Sequence, residues 1–264
     1  MEPVPLTVAV TCCDHLYPVI SGEVEIAGAA PRFTELAAPL APDDAGDLDI
    51  AEVSLVRYLA GSHDLLALPV FPSRRFPHGC VYGREPAVDL RTARIAVTEP
   101  DADVSVYARG MLADRYGAAT WVRPDEDPDV VVAPEPVAGM TPLFDEQAEQ
   151  EYFEKTKVFP ITSVLVVRRD VLARHRWLAS NIYRSFEIAR RRYFARLTDI
   201  KASRVPIPSA ATYASFLRDV LGPDIWPYGL AANQTTLETA LRYVGSAAEV
   251  ADLFAPAEPY VDGM

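Results

Sequence analysis

The stretch of sequence that decides the fold is residues 68–82, which read Leu-Pro-Val-Phe-Pro-Ser-Arg-Arg-Phe-Pro-His-Gly-Cys-Val-Tyr. Prolines and a serine end an apolar strand, and a second short strand is predicted at 79–82. Two arginines and a histidine stand between the strands. A guanidinium group can hold a carboxylate through two hydrogen bonds. Because a titratable imidazole stands close to the two arginines, the stretch indicates an anion site at a strand end. A solvated surface loop is the ordinary alternative for a pair of arginines.

Further strand-like runs lie on both sides of this stretch. They are short, rich in branched residues and bounded by turn residues. Most are apolar throughout, as is typical of strands covered on both faces, so we predict a largely parallel α/β sheet. The predicted strands are 6–10, 65–70, 94–97, 130–133 and 164–167.

Three helices are predicted between and after these strands. One covers residues 104–116, and a third has Thr235 and Glu238 at capping-box spacing ahead of an apolar face. The second is long, with Asp170 as its N-terminal cap. Its apolar stripe is Leu178, Ile182, Phe186, Ala189 and Tyr193.

Three consecutive arginines, residues 190–192, fall within this long helix. We interpret them as a solvated face on which Glu187 pairs with Arg191, four positions further on.

Two segments that lead from one block of strands to the other look alike, one near His78 and the other near Phe159. They predict two α/β lobes joined by two extended crossings, with hinges near 83–84 and 158–160. We expect residues 1–83 and 159–264 to form the first lobe and 84–158 the second. Both chain ends then belong to the first lobe.

The composition excludes several classes of protein. With 264 residues, of which 50% are hydrophobic, the chain can build one large domain or two small ones. A net charge of −12 argues against a nucleic-acid or anionic-membrane partner. No apolar run approaches the length of a membrane span, and the N-terminus lacks the pattern of a signal peptide. Three cysteines without a disulfide pattern favour the cytoplasm.

Polar residues follow the carboxyl ends of the predicted strands, where open α/β sheets place their ligands. We found no phosphate-binding glycine loop, no nucleophile elbow, no Cys-x-x-Cys and no metal-ligand spacing, so no cofactor and no metal are expected. His15, His63 and His175 are assigned no site. The candidates are Asp14, Glu52, Ser54, Arg74, Arg75, His78, Glu99, Ser105, Glu135, Thr162 and Ser163.

Seven segments match one family, in the family's order and across nearly the whole chain. They are SGEVEIAG (21–28), AEVSL (51–55), LPVFPSRRFPH (68–78), YARGMLADRYG (107–117), VFPI (158–161), WPYG (226–229) and LFAP (253–256). In these segments the chain resembles the 4,5-dihydroxyphthalate decarboxylases. The resemblance implies an α/β, two-lobed, type 2 periplasmic-binding-protein-like fold with a ligand cleft between the lobes. It also implies a cytoplasmic, cofactor-independent decarboxylase of an aromatic acid.

Three positions differ from the family's usual pattern. Tyr17 and Glu135 stand where the family usually has arginines, and Ser163 stands where it usually has a histidine. A second substrate carboxylate facing Glu135 would be repelled in a partly desolvated cleft. We therefore expect a monocarboxylate, or a substrate with a donor group facing Glu135, and not phthalate itself.

These residues suggest a mechanism for such a substrate. Arg74 or Arg75, with the amides at the helix start near Ser105, would hold the carboxylate. His78 is our first choice as the acid that protonates the ring carbon, followed by Glu99 and Asp14. Glu52, Ser54, Glu135, Thr162 and Ser163 are expected to contact the substrate.

Two other functions stay open. A solute-binding protein that only captures an acid has the same fold, and fold does not fix function. Another lyase or dehydratase acting on a biosynthetic acid is compatible with the three departures. The expected partner in each case is a small carboxylic acid, and the sequence leaves open whether the chain forms a homo-oligomer.

Overall fold

The structure is a computed structural model that describes residues 2–84, 88–117, 120–199 and 209–257. In these ranges the strands are β1 Val4–Thr11, β2 Ala29–Leu36, β3 Ile50–Ser54, β4 Leu65–Leu68, β5 Val81–Gly83, β6 Arg94–Val97, β7 Thr120–Val122, β8 Val130–Val132, β9 Thr141–Pro142 and β10 Ser163–Arg168. The helices are α1 Tyr17–Ile20, α2 Leu55–Ala60, α3 Asp103–Tyr116, α4 Glu146–Thr156, α5 Arg169–Arg174, α6 Leu178–Leu197, α7 Ala210–Leu221, α8 Gln234–Val244 and α9 Val250–Leu253. Within the described part of the chain, no helix is long and apolar enough to cross a membrane.

The strands form two separate sheets of similar design. The first has the order β2-β1-β3-β10-β4 and the second the order β7-β6-β8-β5-β9. In each sheet the first three strands of this order pair parallel, and the fourth pairs antiparallel with both of its neighbours, so the fifth runs in the direction of the first three. The α/β class and the two-lobed fold are confirmed. Four strands of each sheet run in one direction, as predicted for a largely parallel sheet, and the strand at each crossing, β5 or β10, enters its sheet in the reverse direction.

The first sheet has a continuous apolar core. Positions 164–167 of β10 are fully buried, as expected for a strand that is covered on both faces. The stripe of α6 packs against this core, with Leu178, Ile182, Phe186 and Ala189 fully buried. A separate, smaller apolar cluster lies against the second sheet. Two cores of this kind are what a two-lobed chain requires.

Two predicted helix starts were wrong. Asp170 is the second residue of the short helix α5, where its carboxylate pairs with Arg168 at 3.0 Å, and α6 begins after a break at His175. Thr235 lies inside the first turn of α8, and no capping side chain bonds at Asn233. In both segments the polar side chains pair with other side chains on the helix surface and do not cap the helix.

The arginine run of α6 is only partly solvated. Glu187 pairs with Arg191 at 2.7 Å, as predicted. Arg190, however, is 2% exposed and pairs with both Glu187 and Asp224. Arg190 also lies 5.3 Å over the ring of Tyr228. Its charge acts on His15, a residue of the cavity described below.

The two lobes also touch through α3 and α8. Gly110 faces the ring of Tyr243, and a Cβ atom at position 110 would come within 2.3 Å of that ring. Asp114 accepts hydrogen bonds from Arg242 at 2.8 and 2.7 Å and from the Tyr243 hydroxyl at 2.8 Å. Glycine at position 110 is therefore what allows this close approach.

Strand β5 bears on the predicted boundary between the lobes. It pairs with β8 and β9, so the chain enters the second sheet at residue 81, where β5 begins. The division at residues 83 and 159 stays a prediction, and these pairings favour an earlier first boundary. The last residues, 258–264, lie outside the described part, whereas Ala255 donates a hydrogen bond to the carbonyl of Ala67 in the first sheet at 2.8 Å.

Candidate functional site

The two crossings run side by side, and this pairing positions the arginines of the opening stretch. Arg74 bridges Ile161 in an antiparallel contact. Arg75 donates its backbone N–H to the carbonyl of Pro160 at 3.1 Å, and Thr162 donates to the carbonyl of Ser73 at 2.9 Å. Arg74 and Arg75 are therefore held on rigid, paired backbone.

A cavity of about 720 Å³ opens beside these crossings. Its volume is in the range of small-molecule sites. Helix α7 forms one side, and the end of α6 forms another. The polar lining residues are Asp14, His15, Arg74, Arg75, Glu149 and Ser209, and the aromatic ones are Phe76, Phe159, Tyr193, Phe194, Tyr213 and Trp226.

Arg74 is the buried cation of this cavity. Its residue is 8% exposed, and its guanidinium donates to the carbonyls of Phe159 at 2.9 Å and Pro227 at 2.8 Å and to Oδ1 of Asn233. All three acceptors are neutral. Within the described residues, no carboxylate pairs with Arg74 and its Nε atom has no hydrogen-bond partner.

Aromatic rings surround the same guanidinium. Its carbon lies 5.1 Å from the ring centre of Phe159, 5.6 Å from that of Phe71 and 5.8 Å from that of Trp226. Burial lowers the pKa of Arg74 to about 9, so the side chain is still cationic at neutral pH. A desolvated cation of this kind favours an anionic ligand strongly.

His15 lies on the same cavity wall, although the sequence assigned it no site. It is 7% exposed, and its ring lies 5.5 Å from Trp226, the residue that also contacts Arg74. Burial first, and then the positive charge of Arg190, lower the pKa of His15 to about 4. In the part of the chain that is described, its Nε2 atom is buried without a hydrogen-bond partner. The imidazole is therefore neutral at pH 7.

Two carboxylates and a second arginine complete the charges of the cavity. Asp14 is exposed and accepts a long hydrogen bond of 3.5 Å from the Tyr193 hydroxyl. Burial, and then Glu146, raise the pKa of Glu149. Arg75 is exposed and donates to the carbonyl of Pro134 at 3.2 Å. Of the predicted residues, the structure thus brings Asp14, Arg74 and Arg75 together.

His78, the first choice for the acid, lies elsewhere. It is fully buried, with its ring 5.2 Å from Tyr152, 5.4 Å from Phe144 and 6.2 Å from Phe76. Burial lowers its pKa to about 4, and neither ring nitrogen has a partner among the described residues. The residues that line the described cavity do not include His78. The geometry therefore does not support His78 as the proton donor.

We expect His78→Phe to keep the turnover and to stabilise the protein below pH 6.5. A buried neutral histidine disfavours the folded state as pH falls from 6.5, its ordinary pKa, towards 4, because the unfolded chain takes up the proton first. In this range the free energy of unfolding falls by roughly one kcal/mol per pH unit, and phenylalanine, which does not titrate, removes this loss. Urea unfolding at pH 7 and pH 5 measures it. A variant that folds well but loses turnover would give His78 a part in the reaction after all.

A second group of predicted residues forms a buried network at the strand ends. Glu52 is fully buried, and its carboxylate accepts from the backbone and hydroxyl of Thr11 at 2.8 and 2.7 Å and from the hydroxyl of Ser163 at 2.7 Å. Ser54 caps α2 by accepting from the N–H of Arg57 at 3.3 Å. Ser163 thus supplies the donor that holds this carboxylate. Glu52, Ser54 and Ser163 do not line the described cavity.

The remaining predicted residues lie apart from the cavity. Ser105 is fully buried near the start of α3, and Thr162 is half-buried on the return crossing. Glu99 and Glu135 are exposed, and Tyr17 is 55% exposed at the start of α1. None of the five belongs to the described lining of the cavity. The expected preference for a monocarboxylate, which was inferred from Glu135, therefore needs another physical basis.

The cavity-lining residues that sequence reasoning missed are mostly aromatic. Phe159, Phe194 and Trp226 come from three distant segments, and nothing local in the sequence connects them. His15 was a weak signal, since it follows Asp14 directly at the end of β1. A search for histidines at strand ends, without a requirement for metal-ligand spacing, finds it.

A second cavity, of about 700 Å³, lies between α2, α3 and α8. Its lining includes the charged residues Arg57, Arg109 and Asp101 and the ion pair of Asp114 with Arg242. It lacks the buried cation within an aromatic wall that marks the first cavity.

Comparison with known proteins supports the fold and the family. No family model matches the chain. A 4,5-dihydroxyphthalate decarboxylase of Comamonas testosteroni is 30% identical over 302 aligned positions, which cover 91% of each chain. A 4,5-dihydroxyphthalate decarboxylase of Pseudomonas putida is 36% identical over 143 positions, 47% of this chain and 54% of that one.

Solved structures show the same fold at low identity. The periplasmic aliphatic sulphonate binding protein SsuA of Escherichia coli matches with a TM-score of 0.53 and 13% identity, over 100% of this chain and 96% of that one. A Candida albicans protein with the generic periplasmic-binding-protein fold matches with a TM-score of 0.52 and 13% identity, over 95% and 93%. With relatives that span almost its full length and a fold of this type, the chain belongs to the 4,5-dihydroxyphthalate decarboxylase family.

Proposed function

We propose that this chain decarboxylates an aromatic monocarboxylic acid that carries a ring hydroxyl, in the cavity beside Arg74. Membership of its family makes the chain an enzyme of the decarboxylase kind. The observation that carries the substrate class is the buried guanidinium of Arg74, which has only neutral acceptors among the described residues and lies against aromatic rings. A carboxylate attached to a ring fits both features.

Binding places the two ends of the acid in different surroundings. The carboxylate takes the charge of Arg74, and the ring packs against Phe159 and Trp226. Since His15 and Arg74 both contact Trp226, the carboxylate on Arg74 also lies near the imidazole. That negative charge offsets the burial and the neighbouring arginines that depress the pKa of His15, so binding raises it.

The chemical step then needs only the substrate and one acid. A ring hydroxyl ortho or para to the carboxylate pushes an electron pair into the ring, and the carbon bearing the carboxylate takes a proton from protonated His15. The bond to the carboxylate breaks, its electron pair restores the ring, and carbon dioxide leaves. The protonated ring, stabilised by its hydroxyl, thus serves as the electron sink, so the step requires no organic cofactor. Asp14, directly beside His15, is the alternative donor.

The charges of the cavity favour a monocarboxylate. Arg74 and Arg75 are matched in number by Asp14 and Glu149, and the first substrate carboxylate is balanced by protonated His15. A second substrate carboxylate would leave the site with an excess of negative charge at low dielectric. We thus retain the expected preference for a monocarboxylate, but it now rests on Asp14 and Glu149 instead of Glu135.

The free thiols Cys12, Cys13 and Cys80 support a further proposal, that the protein works in the cytoplasm. The ligand is then a small acid of that compartment. Its reaction product is the corresponding phenol and carbon dioxide.

A panel of acids tests the proposed function. Carbon dioxide release is measured with 2-, 3- and 4-hydroxybenzoate, 3,4-dihydroxybenzoate and 4,5-dihydroxyphthalate. We expect release only from acids with an ortho or para hydroxyl, and faster release from the monocarboxylates than from the phthalate. Release from 3-hydroxybenzoate at the same rate, or from none of the monocarboxylates, would contradict the proposal.

A further inference from the structure

Asn233 is a buried amide that holds the guanidinium of Arg74. It is 2% exposed, and its Oδ1 accepts from Nη2 of Arg74 at 2.5 Å. Its Nδ2 donates to the carbonyls of Pro227 at 3.0 Å and Gly229 at 2.7 Å. A guanidinium only donates and a carbonyl only accepts, so these partners fix which way the amide points.

The chemistry of position 233 is unusual for a partner of a buried arginine. Aspartate has nearly the same shape and would offer an acceptor in the same place. It would also neutralise the charge of Arg74, which burial otherwise makes costly. With asparagine, every acceptor that Arg74 contacts in the described chain is uncharged.

We propose that Asn233 is a positioning residue that sets the preference of the cavity for carboxylates. Its amide fixes the orientation of Arg74 without using up its positive charge, so that charge remains for the carboxylate of the incoming acid. The inference rests on the proposed function for the identity of that acid. It assigns to Asn233 a selectivity role, which acts through Arg74 and not through contact with the substrate.

Asn233 also has a structural role, and the test must separate the two. Its Nδ2 atom ties down the segment that carries Trp226 and Tyr228, because it binds the carbonyls of Pro227 and Gly229. Loosening this segment would weaken the binding of any ring. Neutralising Arg74 would weaken the binding of carboxylates alone.

The experiment therefore compares a carboxylate with its neutral analogue. Affinities for 4-hydroxybenzoate and 4-hydroxybenzamide are measured by calorimetry on the wild type and on Asn233→Asp. We expect Asn233→Asp to weaken the binding of 4-hydroxybenzoate by about 10- to 100-fold more than the binding of 4-hydroxybenzamide. Arg74→Gln should abolish the same preference. Asn181→Asp is the matched control, since the Asn181 amide also donates to a backbone carbonyl, that of Ala27 at 2.8 Å, outside the described cavity lining.

Equal losses for both probes in Asn233→Asp, or no loss for either, would overturn the inference. So would a wild type that does not prefer the carboxylate. If Asn233→Asp does not fold, Asn233→Ser decides, because serine offers a neutral acceptor and should keep the preference within about twofold. A carboxylate-specific loss in Asn233→Ser would contradict us.

The affinity measurements test the role of Asn233 whether or not the protein turns the acid over. A wild type that binds 4-hydroxybenzoate with this dependence on position 233, but releases no carbon dioxide, keeps the inference and overturns the proposed function. Turnover of the acid with an unchanged carboxylate preference in Asn233→Asp overturns the inference alone.

Discussion

Replacing Arg74 by glutamine should weaken the binding of aromatic carboxylates by about 100-fold, the largest effect on binding that we expect from one substitution. The guanidinium is buried and, within the described residues, has no acid partner, so its charge is available to a ligand. Glutamine keeps a donor for the neighbouring carbonyls and removes the charge. Calorimetry with 4-hydroxybenzoate measures the loss.

Arg94→Gln is the matched control for this substitution. Arg94 also donates to backbone carbonyls, those of Glu126 at 2.6 Å and Asp127 at 3.3 Å, but it lies on the second sheet. It should leave the affinity unchanged. An Arg74→Gln protein that folds and binds the acid as tightly as the wild type would remove the basis of the proposed site.

Replacing His15 by asparagine should lower kcat by about 10²- to 10⁴-fold, the range typical of a lost general acid. The effect has a pH signature. Because burial lowers the pKa of His15 to about 4, the productive complex must take up a proton at neutral pH. We expect kcat/KM of the wild type to fall about tenfold per pH unit between pH 5 and 8, and this slope should vanish in His15→Asn.

His175→Asn is the control here, because His175 packs against Trp177 at 6.0 Å and does not belong to the described cavity lining. Asp14→Asn separates the two candidate donors. A full loss of turnover in Asp14→Asn, with the wild-type pH slope retained in His15→Asn, would transfer the role of acid to Asp14.

Much of the fold follows from the sequence because it depends on local pattern. The predicted strands at 94–97 and 164–167 and the predicted helix at 104–116 agree with β6, β10 and α3 to within one residue at each end. Strand direction is less local. A short apolar run reads the same in a parallel or an antiparallel pair, so the reversed strands at the crossings could not be recognised.

The site was harder to predict because it depends on where side chains point. Arg74 and Arg75 are neighbours in sequence, yet Arg74 is buried against neutral acceptors and Arg75 is exposed. His78 follows them by only a few residues, but its ring turns into an aromatic cluster of the second lobe. The partners that decide these outcomes, such as Asn233 and Trp226, are more than a hundred positions away.

A crystal structure with a bound, unreactive acid tests the central claim most directly. Benzoate is suitable, because without a ring hydroxyl it has no electron push for decarboxylation. We predict its carboxylate within hydrogen-bond distance of Arg74 and its ring against Phe159 and Trp226, near His15. Benzoate bound instead between α2, α3 and α8, or at the Glu52 network with the cavity beside Arg74 empty, would contradict the account.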